Sequence, residues 1–200
     1  MSNFRAEGLE DRAQLVGDVM ADPFFQIQGS LPKSEFSSFA DQRDGYVVAN
    51  IHQTSSTDDE PQVRFYSSSL QSLELPVVPA PHPRLRAAAK RLWLSLEQGS
   101  VQIVEPLGCL AIIGPVAGSN GLTTDRGRMQ TDTLVLGVPC TTLRTETEWS
   151  QTLNGGKNAL GPHGECSEEL ATWSVALPDG VRYGNSRAAR RIATLLCGAH

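Results

Sequence analysis

The run Tyr46-Val47-Val48-Ala49-Asn50-Ile51, ended by His52, constrains this chain more than any other segment. It is nearly continuous in apolar character rather than alternating, as expected for a strand buried on both faces of a parallel sheet. His52 then stands at the carboxyl end of that strand and opens a polar loop. Open α/β sheets bind their ligands at such strand ends. A second segment repeats the layout: Leu122-Thr123-Thr124-Asp125 runs into Arg126-Gly127-Arg128, with a helical stretch from Met129. A strand, a glycine turn and a helix amino end together form an anion site.

Around these two segments a strand–helix rhythm sets in from Asp44. Strands are predicted at 46–51, 75–80, 101–104, 120–124 and 138–143. Leu85, Ala88, Ala89, Leu92 and Leu96 fall on one face of a helix with Arg and Lys outside. Near the end, Asn185 or Ser186 is placed to cap a helix whose inner face is Ala188, Ala189, Ile192 and Leu196. The alternation implies an α/β fold, a single doubly wound parallel sheet covered by helices on both faces. Residues 1–40 differ. Leu15 to Met20 suggests a short strand and turn, and the Ser, Gln and Asp-rich stretch 26–44 with Gly29 and Pro32 reads as a linker. The expected division is 1–40, an interdomain remnant and linker, and 41–200, a ligand-binding lobe carrying the C-terminal helix.

Two hundred residues, 40% of them hydrophobic, suffice for one good core. A net charge of −5 gives no electrostatic reason to expect nucleic acid or an anionic membrane as partner. No apolar run approaches the ~18 residues of a spanning helix, and the amino end lacks a signal pattern. A cytoplasmic location is therefore expected. Cys109, Cys140, Cys166 and Cys197 form no C-x-x-C pair, which argues against a metal site or disulfide framework and for buried free thiols.

Several ordered blocks carry a resemblance. They begin with Asn3-Phe4-Arg5-Ala6-Glu7-Gly8, Gly17-Asp18-Val19-Met20, Ile51-His52 and Thr57-Asp58-Asp59, followed by His82-Pro83-Arg84 and Glu105-Pro106-Leu107. They continue with Gly137-Val138-Pro139-Cys140, Thr142-Leu143-Arg144, Glu146-Thr147-Glu148-Trp149, Tyr183-Gly184 and Arg187-Ala188-Ala189. In this order they resemble the carboxyl-terminal half of the non-hydrolysing UDP-N-acetylglucosamine 2-epimerases over nearly the whole chain. The resemblance implies a two-lobed fold of the glycosyltransferase B style, of which this chain would be the second, Rossmann-like lobe with a short N-terminal extension. It also implies inversion at C2 of UDP-N-acetylglucosamine to give UDP-N-acetylmannosamine, a precursor of cell-surface polysaccharide. The route is anti elimination of UDP followed by syn re-addition, with no redox cofactor.

By the same resemblance, His52 touches the diphosphate, Arg126-Gly127-Arg128 stands for the family's S-G-G phosphate turn, and Asp132 takes the ribose hydroxyls in place of glutamate. His82 matches a position used for regulatory UDP-sugar binding. Departures are as informative. The family's first lobe, source of its catalytic carboxylates, is not matched. Gln53, Ser55 and Ser56 replace Arg, Glu and Asn, while Ile112 stands where an aromatic often lies near uracil and Gln151 replaces a glutamate. Each candidate also has a plain structural reading. His52 suits a loop histidine, Arg126 and Arg128 suit solvated cations, and Asp132 suits a surface carboxylate. His82 suits a turn, Arg144 with Glu146 and Glu148 an ion-pair cluster, and Trp93 and Trp149 packing.

The expectation is an epimerase-like protein truncated to its nucleotide-binding lobe and inactive alone. The alternatives are a non-catalytic UDP-sugar-binding regulatory module and a degenerate remnant with an exposed apolar face. Candidate partners are a UDP-sugar, a separate chain supplying the first lobe, and a second copy of this chain.

Overall fold

A computed structural model describes residues 2–23, 45–79, 81–104, 111–153, 158–161 and 187–198. The chain divides into two compact units, Met1–Ser30 with Asp179–His200, and Leu31–Pro178.

In the first unit, helix α1 spans Ser2–Ala6, and a 3-10 turn spans Glu10–Arg12. In the second, the order is β1 (Val47–Asn50), α2 (Thr54–Thr57), α3 (Glu60–Gln71), β2 (Val77–Pro79), α4 (Pro83–Arg91) and α5 (Ile113–Ala117). It continues with β3 (Gly121–Thr124), α6 (Gly127–Leu136), β4 (Cys140–Thr142), a 3-10 turn at Ser150–Thr152 and β5 (Asn158–Leu160). Helix α7 (Ala188–Gly198) returns to the first unit.

The five strands form one parallel sheet in the order β2-β1-β3-β4-β5, a doubly wound, Rossmann-like arrangement. Register explains how it is covered. Val48 pairs with Val78 and Leu122, and Leu122 pairs with Cys140, so these four share a face. That face packs on Tyr46, Ile112, Val116, Met129 and Val138. Ala49 and Val77 point the other way, where they join Leu73 and Val101. Ile51, just past the strand, packs with Val63 and Tyr66 of α3 and with Leu85 and Ala88 of α4. Helices therefore cover both faces.

The strand expected at 101–104 is a single parallel bridge between Val101 and Val77. The hydrogen bonds show why it stops. Val77 donates to the Ser100 carbonyl at 3.0 Å, Gln102 donates to Val77 at 2.9 Å, and Val104 donates to Pro79 at 3.2 Å. The next rung needs an N–H on residue 79, and proline has none. Strand β5 and helix α3 have no counterpart in the sequence reading. In α3, Ser67-Ser68-Ser69 interrupts the apolar stripe of Val63, Tyr66 and Leu70.

The C-terminal helix also differs from expectation. The sequence places it in the lobe at 41–200; it groups with the N-terminal segment. The physical reason is a remote cap: buried Asp22 accepts from the backbone N–H of Ala188 at 3.2 Å and of Ala189 at 2.9 Å. Both local capping candidates, Asn185 and Ser186, lie outside the described residues. Of the inner face expected on α7, Ala188 is buried, but Leu196 is 71% exposed. The stretch from Leu15 to Met20 holds no strand; Met20 donates its backbone N–H to the Asp18 carboxylate at 2.8 Å, a short turn.

Candidate functional site

In this strand order the chain leaves β1 toward β2 on one side and β3 toward β4 on the other. The carboxyl ends of β1 and β3 therefore flank a crevice, the switch point where such sheets bind ligands. His52 follows β1, and Asp125 follows β3.

These two residues are joined. The Asp125 carboxylate is wholly buried and accepts the His52 backbone N–H at 3.1 and 3.0 Å and the Gln53 backbone N–H at 2.8 Å. Its Oδ1 also lies 3.3 Å from His52 Nδ1. A carboxylate that accepts at Nδ1 places the ring proton there and leaves Nε2 for a ligand. Neutral, Nε2 accepts; as imidazolium, it donates. Thr124 strengthens the same junction, donating to the Asn50 carbonyl at 2.9 Å and accepting the Arg126 backbone N–H at 3.1 Å. Behind the loop, burial raises the Tyr66 phenol above its ordinary pKa, and Ser56 hydrogen-bonds to it.

The His52 ring meets His82 edge-on, with centroids 5.7 Å apart. His82 caps α4: its Nδ1 accepts the Arg84 backbone N–H at 3.3 Å. The Arg84 guanidinium donates to the Thr54 hydroxyl across the gap. His52, Gln53, Thr54, His82 and Arg84 line a cavity of about 550 Å3. His82 thus serves both readings, as the turn's cap and as cavity wall.

On the other side of His52, Arg126 is the N-cap residue of α6, where no side chain caps the helix amides. Among the described residues, its guanidinium has no partner. Gly127 sits in a tight place: a Cβ there would lie 2.6 Å from Glu148 Oε1, at the end of an exposed side chain that can swing away, and 3.0 Å from Trp149 Nε1. Trp149 is therefore a packing residue beneath the turn, and Glu148 also pairs with Arg144 at 2.9 Å. Trp93 departs from the packing expected of it, being 96% exposed. Arg128 turns back along α6 to pair with Asp132 at 2.9 Å, the i,i+4 spacing of a helix. Partly exposed, it pairs with the carboxylate that the resemblance gives to ribose. Ile112 is buried in the core and presents no stacking face.

A buried polar network holds the floor of this end of the sheet. Asn158 Nδ2 donates to Gln130 Oε1 at 3.1 Å and to Thr152 Oγ1 at 2.8 Å, while its Oδ1 accepts from Thr142 at 2.8 Å. Thr147 also donates to Gln130 Oε1, at 2.7 Å. Sequence reasoning passed over Asp125, Thr54 and Arg84. A visible signal for the first was a lone carboxylate closing an apolar strand directly before a glycine turn.

Fold and site together define a Rossmann-like lobe with a histidine and a cationic turn at its switch point. The family model described as UDP-N-acetylglucosamine 2-epimerase matches residues 1–197, and the chain belongs to that family. A Pseudomonas aeruginosa protein named UDP-2,3-diacetamido-2,3-dideoxy-D-glucuronate 2-epimerase is 34% identical over 98% of this chain and 56% of its own length. A Methanocaldococcus jannaschii UDP-N-acetylglucosamine 2-epimerase is 25% identical, over 98% of this chain and 57% of its own. The chain thus spans about half the length of the curated relatives it matches. The crystal structure of the M. jannaschii UDP-GlcNAc 2-epimerase in complex with UDP-GlcNAc and UDP superposes with a TM-score of 0.79. Its identity is 23%, with 99% of this chain and 58% of that one covered. The Neisseria meningitidis UDP-GlcNAc 2-epimerase bound to UDP-GlcNAc gives 0.76 at 19% identity, covering 98% and 58%. Among the described residues, no helix is long and apolar enough to cross a membrane.

Proposed function

We propose that this lobe holds the diphosphate of a UDP-sugar at the carboxyl ends of β1 and β3, in the service of inversion at C2 of a UDP-linked 2-acetamido sugar. The observation that carries the reading is His52 clamped by Asp125 at the switch point, with Nε2 left for a ligand and Arg126 unpartnered beside it. Elimination of UDP builds negative charge on the departing diphosphate. Nε2, which donates once the ring is an imidazolium, and the N–H groups at the amino end of α6 stabilise such charge. Among the described residues, none that lines the cavity is a carboxylate. The reading therefore assigns proton transfer at C2 to groups outside this lobe and gives the lobe by itself binding without turnover. A separate chain supplying those groups is part of the proposal, as are a cytoplasmic location and the domain boundary near residue 40. The relatives' names divide between a uronate and a neutral 2-acetamido sugar, and what they share is a UDP-linked sugar inverted at C2.

Calorimetric titration with UDP tests the reading. Saturable heat that shrinks in His52→Ala supports it; no heat and no thermal shift at millimolar UDP defeat it. A second reading, a UDP-sensing module without any catalytic role, draws on the Arg128–Asp132 pair, which occupies the carboxylate meant for ribose. Failure of the chain to interconvert the two C2 epimers, alone and with neighbouring gene products, would favour it.

A further inference from the structure

His52 and His82 meet edge-on, yet their neighbours set them up as opposites. His82 accepts the Arg84 backbone N–H at Nδ1, so its neutral ring carries the proton on Nε2 and donates from there. His52 is held the other way. The buried Asp125 carboxylate can only accept, and its Oδ1 lies 3.3 Å from His52 Nδ1. The backbone N–H groups of His52 and Gln53 fix that carboxylate in place. The neutral His52 ring therefore keeps its proton on Nδ1 and has a bare lone pair at Nε2.

That lone pair has the wrong sign for the ligand. In a UDP-sugar both phosphates are esterified, so every oxygen of the diphosphate is an acceptor. His52 can meet it directly only as imidazolium, between two anions: Asp125 at Nδ1 and phosphate at Nε2. Among the described residues, the other charged or titratable groups around the ring come from three elements. His82 and Arg84 of α4 line the same cavity, and Arg126 stands at the turn after Asp125. Tyr66 of α3, its phenol raised by burial, stays neutral. The two arginines oppose a further positive charge on His52 in the free lobe, and a bound diphosphate reverses that balance.

Resting on the nucleotide-sugar reading above, we infer that UDP-sugar binding is proton-coupled: the lobe takes up a proton at His52 Nε2 as the diphosphate seats. The tautomer imposed by Asp125 makes the uptake obligatory at His52, whereas His82 donates without it. The complex then holds a proton that the free lobe lacks. Affinity is full at low pH and falls as pH rises, by at most about tenfold per pH unit.

The test is calorimetry of the full chain with UDP-N-acetylglucosamine, whose diphosphate does not itself titrate near neutrality, in buffers of differing ionisation enthalpy. At about pH 8, above the ~6.5 of an ordinary imidazole, the heats should report uptake of about one proton per ligand. The uptake should shrink as the pH is lowered toward about 6. His52→Gln, whose amide donates without titrating, should bind with no uptake and with an affinity that is flat over this range. Nitrogen NMR of the free chain should show His52 Nε2 bare. Binding without proton uptake overturns the inference and leaves the nucleotide reading standing. Uptake that persists in His52→Gln and vanishes in His82→Gln overturns it too, as does a neutral His52 carrying its proton on Nε2. No heat with either UDP or UDP-N-acetylglucosamine overturns the nucleotide reading and this inference with it.

Discussion

Asp125 does more at this site than any residue singled out from the sequence. It ties the end of β3 to the loop after β1 through three donors, so it fixes both where His52 stands and which nitrogen it offers. Replacing it should act twice. Asp125→Asn is expected to lower stability by about 1–3 kcal/mol, because a buried acceptor set is broken. It should also weaken UDP binding, by mispositioning the ring. His52→Ala should weaken UDP binding about tenfold with little change in melting temperature. Parallel melts and titrations of both variants check the pair; equal stability losses would show that the dyad merely packs. Cys140 gives a second expectation. Full burial pushes its thiol from 9.0 up to about 11. The folded state therefore keeps a proton that the unfolded chain has lost, and stability should fall as pH rises from about 9 to 11. Cys140→Ala should flatten that fall in urea titrations across this range. At neutral pH the exposed Cys197 should react with a thiol reagent well before Cys140, as peptide mapping would show.

The strands on which these residues ride were legible, because a buried parallel strand leaves a dense apolar run such as 46–51. What the sequence concealed was pairing over distance. Nothing local at Ala188 announces that Asp22, 166 residues earlier, will cap α7. Nor does an Asn-Ala-Leu triplet announce β5, whose place depends on Asn158 reaching Thr142, Gln130 and Thr152. In contrast, Arg128 and Asp132 stand at helical i,i+4 spacing, a local signal of their ion pair. Two element-scale tests follow. Asn158→Ala should cost about 2 kcal/mol, seen as a lower urea midpoint at unchanged slope. Asp22→Ala should cost about 1 kcal/mol and loosen α7, with faster amide exchange at Ala188 and Ala189.

The molecule as a whole shows an uneven distribution of apolar surface. Among the described residues, Phe4, Leu15, Val19, Met20, Leu195 and Leu196 are exposed and lie in the unit formed by the two chain ends, while the other unit exposes Trp93. Such side chains favour association. Sedimentation of the purified chain should show concentration-dependent oligomers that Leu196→Lys reduces, whereas a monomer at high concentration would contradict this. Folding motifs and turn glycines carry the family's pattern along this chain, while the chemistry rests on residues that folding leaves free to change.

Pro79 closes off a hazard that such greasiness would otherwise create. A sheet border with a full row of amides invites foreign strands to zip on and build fibrils. Residues 100–104 already hydrogen-bond along the β2 flank, and the missing Pro79 amide keeps that pairing from lengthening into a sixth strand.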